Sequence, residues 1–248
     1  MATKTIEGTI VSQKAWNDRL HSLRFDADID QFAAGQFGRI GLEIDGEQVM
    51  RPYSFVNSPH VRPHEFHYYL LDEGPLTSRL ITLEPGDKIL VSPKPNGFLI
   101  LNEVPEAEQL WMLSTGTAVG PFLSIMGEED VWRRFKRVVL AHAVREEADL
   151  SYRDDALRFA EERPGQFSYV PVVSREDVDY ALRGRIPTLL ESGELADRAG
   201  AQIEVGRSQF MLCGNPAMVK DTTQKLIEWG FERNRRKKPG HITVENYW

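Results

Sequence analysis

Cysteine is almost missing from this 248-residue chain, which has one, Cys213. No intrachain disulfide can form. No iron–sulfur cluster held by cysteines can be built within the chain either, since such clusters usually take four thiolates. Long apolar runs are scarce too. Leu110 to Gly127 carries no charge, and its length touches the roughly 18-residue threshold for a membrane span. Ser114, Thr115, Gly116, Thr117, Gly120 and Pro121 interrupt it, so it reads as a buried strand, a glycine turn and a buried helix start. The opening stretch Met1 to Glu7 has no apolar run of the secretory kind, and the expected location is the cytoplasm, away from any membrane. An excess of positive charge is also lacking. Thirty Lys and Arg against 37 Asp and Glu give a net charge of -7, which argues against a general nucleic-acid binder. Internal repeats and low-complexity segments are absent.

What is present divides in two. Residues 1–103 read as all-β, with strands expected at Thr3–Val11, Leu20–Phe25, Gly38–Ile44, Val49–Val56, Glu65–Leu71 and Lys88–Val91. Turn signals at Ala34-Gly35, Asp45-Gly46, Asn57-Ser58-Pro59, Glu73-Gly74-Pro75 and Pro85-Gly86-Asp87 separate them. Short strands at this spacing predict a small antiparallel barrel. One helix, Leu76–Leu83, interrupts them. A polar stretch from Asn102 to Glu108 reads as a linker. Residues 104–248 then alternate strands with helices. Strands are expected at Leu110–Ser114, Arg137–Val144, Phe167–Val173, Gln209–Cys213 and Ile242–Asn246. Helices are expected at Val119–Trp132, Leu150–Glu162, Pro187–Ala199 and Pro216–Arg233. That alternation predicts a doubly wound α/β parallel sheet.

The stretch Arg51-Pro52-Tyr53-Ser54 puts a cation, a ring and a hydroxyl on one strand. Arg51 and Tyr53 share a face and Pro52 and Ser54 take the other, but twist at a strand end lets all of them serve one ligand. A flat ligand with a phosphate tail suits this set: a guanidinium for pyrophosphate, a ring to stack on, a hydroxyl near a heteroatom. An ordinary strand with a surface arginine is the plainer alternative. Gly74, Pro75, Leu76 and Thr77 lead into a helix start, whose free N–H groups suit a phosphate; a simple Gly-Pro turn is the alternative. Gly116-x-x-x-Gly120-Pro121 follows a buried strand and opens a helix, the context of a dinucleotide turn, with Thr117 as the natural side-chain donor. It is not the full G-x-G-x-x-G pattern, and a tight strand–helix turn fits it as well.

The chain resembles the ferredoxin–NADP reductase family. R-x-Y-S with Asn57 three residues on matches its flavin signature. Gly116–Pro121, Cys213-Gly214-Asn215-Pro216 and the terminal Val244-Glu245-Asn246-Tyr247-Trp248 match in order. The resemblance spans essentially the whole chain and is nearest to bacterial flavodoxin/ferredoxin–NADP reductases. It implies an FAD-binding β-barrel followed by an NADP-binding α/β domain whose tail returns to the flavin. Electrons would pass between NADP(H) and a ferredoxin or flavodoxin, and the enzyme would act as a monomer. FAD would meet Arg51, Pro52, Tyr53, Ser54, Gly74, Pro75, Leu76, Thr77 and Thr117. His67 and Tyr69 fall on the strand lining the flavin, although His67 departs from the aromatic residue common there. Tyr247 and Trp248 would cover the flavin, with Trp248 competing with the nicotinamide. NADP would meet Gly116, Thr117, Ser174, Cys213, Gly214 and Asn215.

Arg145 lies at the end of the second expected parallel strand, where an NAD site would hold a carboxylate, Arg175 ends the next, and Arg185 lies ten residues on; the resemblance assigns them to the 2′-phosphate. Solvated loop arginines are the alternative. Ser54, Cys213, Glu245 and Trp248 are the expected catalytic positions, acting as positioners because hydride transfer needs alignment more than strong acid or base. The alternatives are a core thiol for Cys213 and a surface carboxylate for Glu245. His60, His64 and His67 sit among prolines with no cysteine near, and no metal site is expected. Arg233 to Lys238 is a basic run at the expected end of a helix, either answering the helix dipole or docking an acidic carrier protein. Two further readings stay open: the reductase component of an oxygenase, and an idle flavin-binding module.

Overall fold

The computed structural model describes residues 5–246. Its first half is an antiparallel sheet of β1 (Ile6–Ala15), β2 (Leu20–Asp26), β3 (Phe37–Ile44), β4 (Glu47–Ser54), β5 (His64–Tyr69) and β6 (Lys88–Val91), in the order β4-β3-β6-β1-β2-β5. The expected barrel does not close by a strand ladder. Its ends meet only at the isolated bridge between Phe55 and Phe66, where the Val56 N–H donates to the Glu65 carbonyl at 2.9 Å. Phe25, Phe55, Phe66 and Tyr68 fill the interior with Leu80 of the short helix α1 (Thr77–Leu80) and Leu76 just before it. That helix is shorter than expected, and its first residue has no side-chain cap.

The second half is parallel throughout. Strands β7 (Gln109–Thr115), β8 (Arg137–Val144), β9 (Phe167–Val173), β10 (Leu182–Arg183), β11 (Ser208–Gly214) and β12 (Ile242–Asn246) take the order β10-β9-β8-β7-β11-β12. Period-2 geometry explains why β7 and β8 carry unbroken apolar runs. Leu110, Met112, Val138 and Leu140 face Phe122, Ile125 and Ala156, whereas Trp111, Leu113, Val139 and Ala141 face Leu189, Leu195, Val219 and Leu226. Helices α2 (Gly120–Met126), α3 (Glu129–Arg134) and α4 (Arg153–Glu162) serve the first face. Helices α5 (Ile186–Ser192), α6 (Glu194–Ala199) and α7 (Pro216–Glu228) serve the second.

Several helices differ from expectation for local reasons. The stretch 119–132 breaks at Gly127 and Glu128 into α2 and α3. The stretch 187–199 breaks at Gly193, whose φ of +86° ends α5 and starts α6. Helix α4 starts at Arg153 because Tyr152 is left-handed, with φ +57°. Helix α7 stops at Glu228, just before Gly230 with φ +94°. The two-residue strand β10 was not anticipated. Among the described residues no helix is long and apolar enough to cross a membrane.

Candidate functional site

The strand order reverses between β7 and β11, and the crevice beyond their carboxyl ends is the usual ligand site of such a sheet. Cys213 lies in register with Ser114 on one side and Glu245 on the other. All three therefore sit at one edge. Cys213 is fully buried. Gly214 has φ +129°, and a β-carbon there would lie 2.1 Å from the Thr115 hydroxyl. Only glycine lets the chain turn so close. Thr115 Oγ1 in turn accepts the Asn215 N–H at 2.7 Å, and the Asn215 side chain caps α7 by accepting the Ala217 and Met218 N–H groups at 2.9 and 3.3 Å. These bonds fix the turn and leave its glycine face bare.

The neighbouring turn is built in a similar way. Gly116 has φ +56° with open space where a side chain would be, and Thr117 is half-buried beside it. His142, fully buried on β8, reaches the Gly116 carbonyl at 3.0 Å. Burial pushes its imidazole down to about 4, so the ring is neutral. Since a carbonyl only accepts, Nε2 carries the proton and donates. This anchor was not foreseen. A lone histidine in the apolar run of β8 was the only signal, and its partner is a tertiary one.

The antiparallel half comes up against this edge. Phe37 is in register with Ser54, and Phe37 also bridges Asn96, next to Gly97. A β-carbon on Gly97 would lie 3.4 Å from Glu245 Oε1. On the other side, a β-carbon on Gly120 would lie 4.0 Å from the Ser54 carbonyl. Ser54, Gly97, Gly120, Glu245 and Cys213 are thus brought towards one junction from the two halves. Two polar atoms there are buried without a partner, Ser54 Oγ and Glu245 Oε2. Desolvation pushes the Glu245 carboxyl up to about 7. Buried polar groups are normally bonded, so a pair of unmet ones at one junction fits a polar ring edge.

Along β4, Arg51 and Pro52 are exposed and Tyr53 is half-buried. The Tyr53 ring lies 5.9 Å from Phe66 and 6.4 Å from Tyr68, and burial lifts its phenol to about 12 against the opposing Arg51 charge. Arg51 donates to the carbonyl of Met50 and, among the described residues, is bound to no carboxylate. Gly74 is forced by close approach, since a β-carbon would lie 2.6 Å from Thr77 Oγ1. Leu76 and Thr77 are buried, and Thr77 Oγ1 already accepts the Leu71 N–H at 3.1 Å. Pro75 keeps its carbonyl towards Arg79 at 3.2 Å.

His67 and Tyr69 go elsewhere. The His67 side chain is buried between the halves, bonded to Ser151 at 2.8 Å and to the His21 carbonyl at 2.9 Å. Tyr69 is exposed beside Arg19, 5.9 Å from its guanidinium. His60 faces Glu128 at 3.7 Å and His64 meets Arg62. Among the described residues no group of His, Cys, Asp or Glu is gathered as metal ligands. Tyr247 and Trp248 lie outside the described residues.

The arginines stand on the far side of the same edge. The Arg175 N–H donates to the Arg145 carbonyl at 2.9 Å, which joins the ends of β8 and β9. Arg185 precedes α5 with no capping bond. All three are exposed and none meets a carboxylate among the described residues, whereas nearby Arg183 is held by Asp177 at 2.6 Å. The local acids are turned away. Glu146 caps the turn 147–149, and Glu147 accepts the Tyr180 hydroxyl at 2.7 Å. The Ser174 hydroxyl is spent on the Val144 carbonyl at 3.1 Å.

A family model for the oxidoreductase NAD-binding domain matches residues 112–224. The chain is 46% identical to the flavodoxin/ferredoxin–NADP reductase of Escherichia coli (strain K12), over 98% of both proteins. It is 36% identical to the ferredoxin–NADP reductase of Azotobacter vinelandii over 95% of both. Among solved structures, a ferredoxin NADP+ reductase from Neisseria gonorrhoeae with bound FAD and NADP matches at a TM-score of 0.94, with 32% identity and 99% of each chain covered.

Proposed function

The chain belongs to the flavodoxin/ferredoxin–NADP reductase family, and from that premise we propose that it moves electrons between NADPH and a ferredoxin or flavodoxin through FAD, in either direction. It is an FAD-dependent, NADP-linked oxidoreductase. FAD supplies the exchange between the paired electrons of nicotinamide and the single electrons of a carrier protein. The observation that carries the reading is the junction of Ser54 Oγ and Glu245 Oε2, buried and unmet, at the switch point between β7 and β11.

The roles follow from position. Tyr53 offers a ring face at the end of β4 and Arg51 an unpaired charge for pyrophosphate. The start of α1 gives a second phosphate contact through the main-chain N–H groups of Leu76 and Thr77, since Pro75 has none and that of Gly74 donates to the Leu71 carbonyl at 3.0 Å. Gly116, Thr117, Gly214 and Asn215 present bare backbone to the nicotinamide nucleotide, and Arg145, Arg175 and Arg185 read a 2′-phosphate. Ser54, Cys213 and Glu245 fix where the reacting rings meet and keep water out.

The partner side is read from charge. The run Arg233 to Lys238 lies beyond the end of α7, so the helix dipole does not explain it. It forms a tight hairpin in which Arg235 and Lys238 exchange main-chain bonds at 3.0 and 2.9 Å. Arg236 lies 5.7 Å from the ring of Phe98, next to Gly97 at the junction. Arg233, Arg235 and Lys237 meet no carboxylate among the described residues, while Lys238 pairs with Glu232 at 2.7 Å. A basic surface beside the flavin edge fits an acidic one-electron carrier.

The test is an anaerobic titration of the purified yellow protein with NADPH, then with ferredoxin or flavodoxin. Bleaching by NADPH and recovery on adding the carrier are expected. A flavin that NADPH leaves oxidised would mean a binding module rather than a reductase.

A further inference from the structure

Ser151 and Tyr152 stand just before α4 and are both buried. Tyr152 holds a left-handed backbone at φ +57°. For a residue with a β-carbon this conformation is strained and persists where surrounding contacts over-determine it. The contacts here come from the other half of the molecule. The Tyr152 hydroxyl donates to Glu65 Oε1 at 2.6 Å and is bonded to Ser22. The Trp16 indole N–H donates to the same Ser22 at 2.8 Å, and its ring lies 4.4 Å from that of Tyr152. Arg24 holds the second oxygen of Glu65 at 2.9 Å.

His67 completes the set. Burial pushes it down to about 3, so it has one ring proton. The His21 carbonyl can only accept, so Nδ1 donates to it and Nε2 accepts from Ser151. Every bond in this chain therefore has one direction: indole to Ser22, Ser22 to Tyr152, Tyr152 to Glu65, Ser151 to His67. Outside it, the Asn17 amide donates to the Ala148 carbonyl and to Asp149, both at 3.0 Å. Beside it opens a cavity of about 430 Å³ lined by residues of both halves, among them Trp16, Glu65, Leu123, Tyr152 and Phe159. Apolar packing, which joins the halves through Val56, Leu99 and Phe122, is interrupted there, and the directed bonds span the gap.

We propose that this buried lock sets how the parallel half faces the antiparallel half, and that Tyr152 and His67 are positioning residues for hydride transfer. The inference rests on the reading that one half carries FAD and the other carries the nicotinamide. Their overlap then depends on a rigid-body relation that no single turn controls. A misplacement of about 1 Å at reacting atoms costs on the order of a hundredfold in rate. The segment the lock holds also runs back through residues 147–150 to Arg145, so one contact set orients both ends of the bound nucleotide.

The experiment uses Tyr152→Phe holoenzyme, which keeps the ring against Trp16 and loses only the hydroxyl. Stopped-flow mixing with NADPH reads the rate of flavin bleaching and the long-wavelength absorbance that appears when nicotinamide and flavin rings overlap. The rate is expected to fall about tenfold and the absorbance to shrink, with FAD content unchanged. Ser151→Ala, which removes the hydroxyl facing His67, is read in the same way and decides the matter if Tyr152→Phe does not fold. A lower melting temperature with unchanged rate and absorbance overturns the lock, because a merely structural bond moves stability alone. A wild-type protein that NADPH does not bleach overturns the functional reading and the lock together.

Discussion

Glu245 on β12 is paired in register with Cys213 on β11, which sets a desolvated carboxyl beside a buried thiol where the two halves meet. Burial raises the carboxyl from 4.5 to about 7. Between those values the folded protein keeps a proton that the unfolded chain releases. Its contribution to stability is therefore full below pH 4.5 and lost as pH rises through 7. Glu245→Gln removes the titration. Thermal melts of both proteins from pH 4.5 to 8 are expected to show the variant gaining on the wild type as pH rises. A difference that does not change with pH would mean that the carboxyl is solvated.

Gly214 carries the tightest constraint at the site. A methyl group there would overlap the Thr115 hydroxyl and its main chain, at a φ that L residues rarely adopt. Gly214→Ala must therefore shift the turn and break the bond from the Asn215 N–H to Thr115. Strain of this kind costs about 1–3 kcal/mol. For a chain of this size that lowers the melting temperature by roughly 2–4 °C per kcal/mol. Calorimetry checks the stability, and NADP+ titration of the flavin absorbance checks the turn. Weakened nucleotide binding with FAD retained is expected; intact binding would take this turn out of the nucleotide site.

The positions of the parallel strands were largely legible because apolar runs such as Leu110–Ser114 and Val138–Val144 have one sensible fate, burial on both faces. The glycines at 116 and 214 were legible because each follows such a run. Barrel closure was not, since six strands at regular spacing say nothing about whether the first and last will pair. Tyr152 was not legible either. Its left-handed backbone is imposed by Ser22 and Glu65, more than eighty residues away in the chain, and local propensity alone would have continued the helix through it. The partners of His67 were not legible for a similar reason. Alternation along β5 gave its face correctly relative to Tyr69, but the partner waiting on that face was Ser151.

Arg175 and Arg185 differ from Arg183 in having no carboxylate among the described residues, although all three are exposed. Unpaired charge at a strand edge is what a 2′-phosphate would recruit. Arg175→Ala and Arg185→Ala are each expected to raise the KM for NADPH about ten- to a hundredfold, the equivalent of one charged contact. The rate with NADH should barely move. Arg183→Ala is the control, since its charge is already satisfied by Asp177, and the preference for NADPH should survive it. Equal losses with both nucleotides would assign Arg175 and Arg185 to support of the fold.

The basic hairpin gives the last expectation. Among the described residues, Arg233, Arg235 and Lys237 meet no carboxylate, on a protein of net charge -7. Arg236, on the ring of Phe98, ties the hairpin to the loop holding Gly97. A protein carrier of opposite charge would be steered there, which raises its association rate more than its final affinity. Such steering fades as the screening length falls, from roughly 10 Å at 0.1 M salt to about 3 Å at 1 M. Turnover with ferredoxin or flavodoxin at limiting carrier should therefore fall steeply with salt. Reduction of ferricyanide by NADPH tracks only the nucleotide half-reaction and is expected to fall less. Reversing one charge by Arg235→Glu should lower kcat/KM for the carrier several-fold at low salt and flatten the salt curve, while ferricyanide reduction stays as it was. If the variant keeps the wild-type salt dependence, the carrier docks elsewhere.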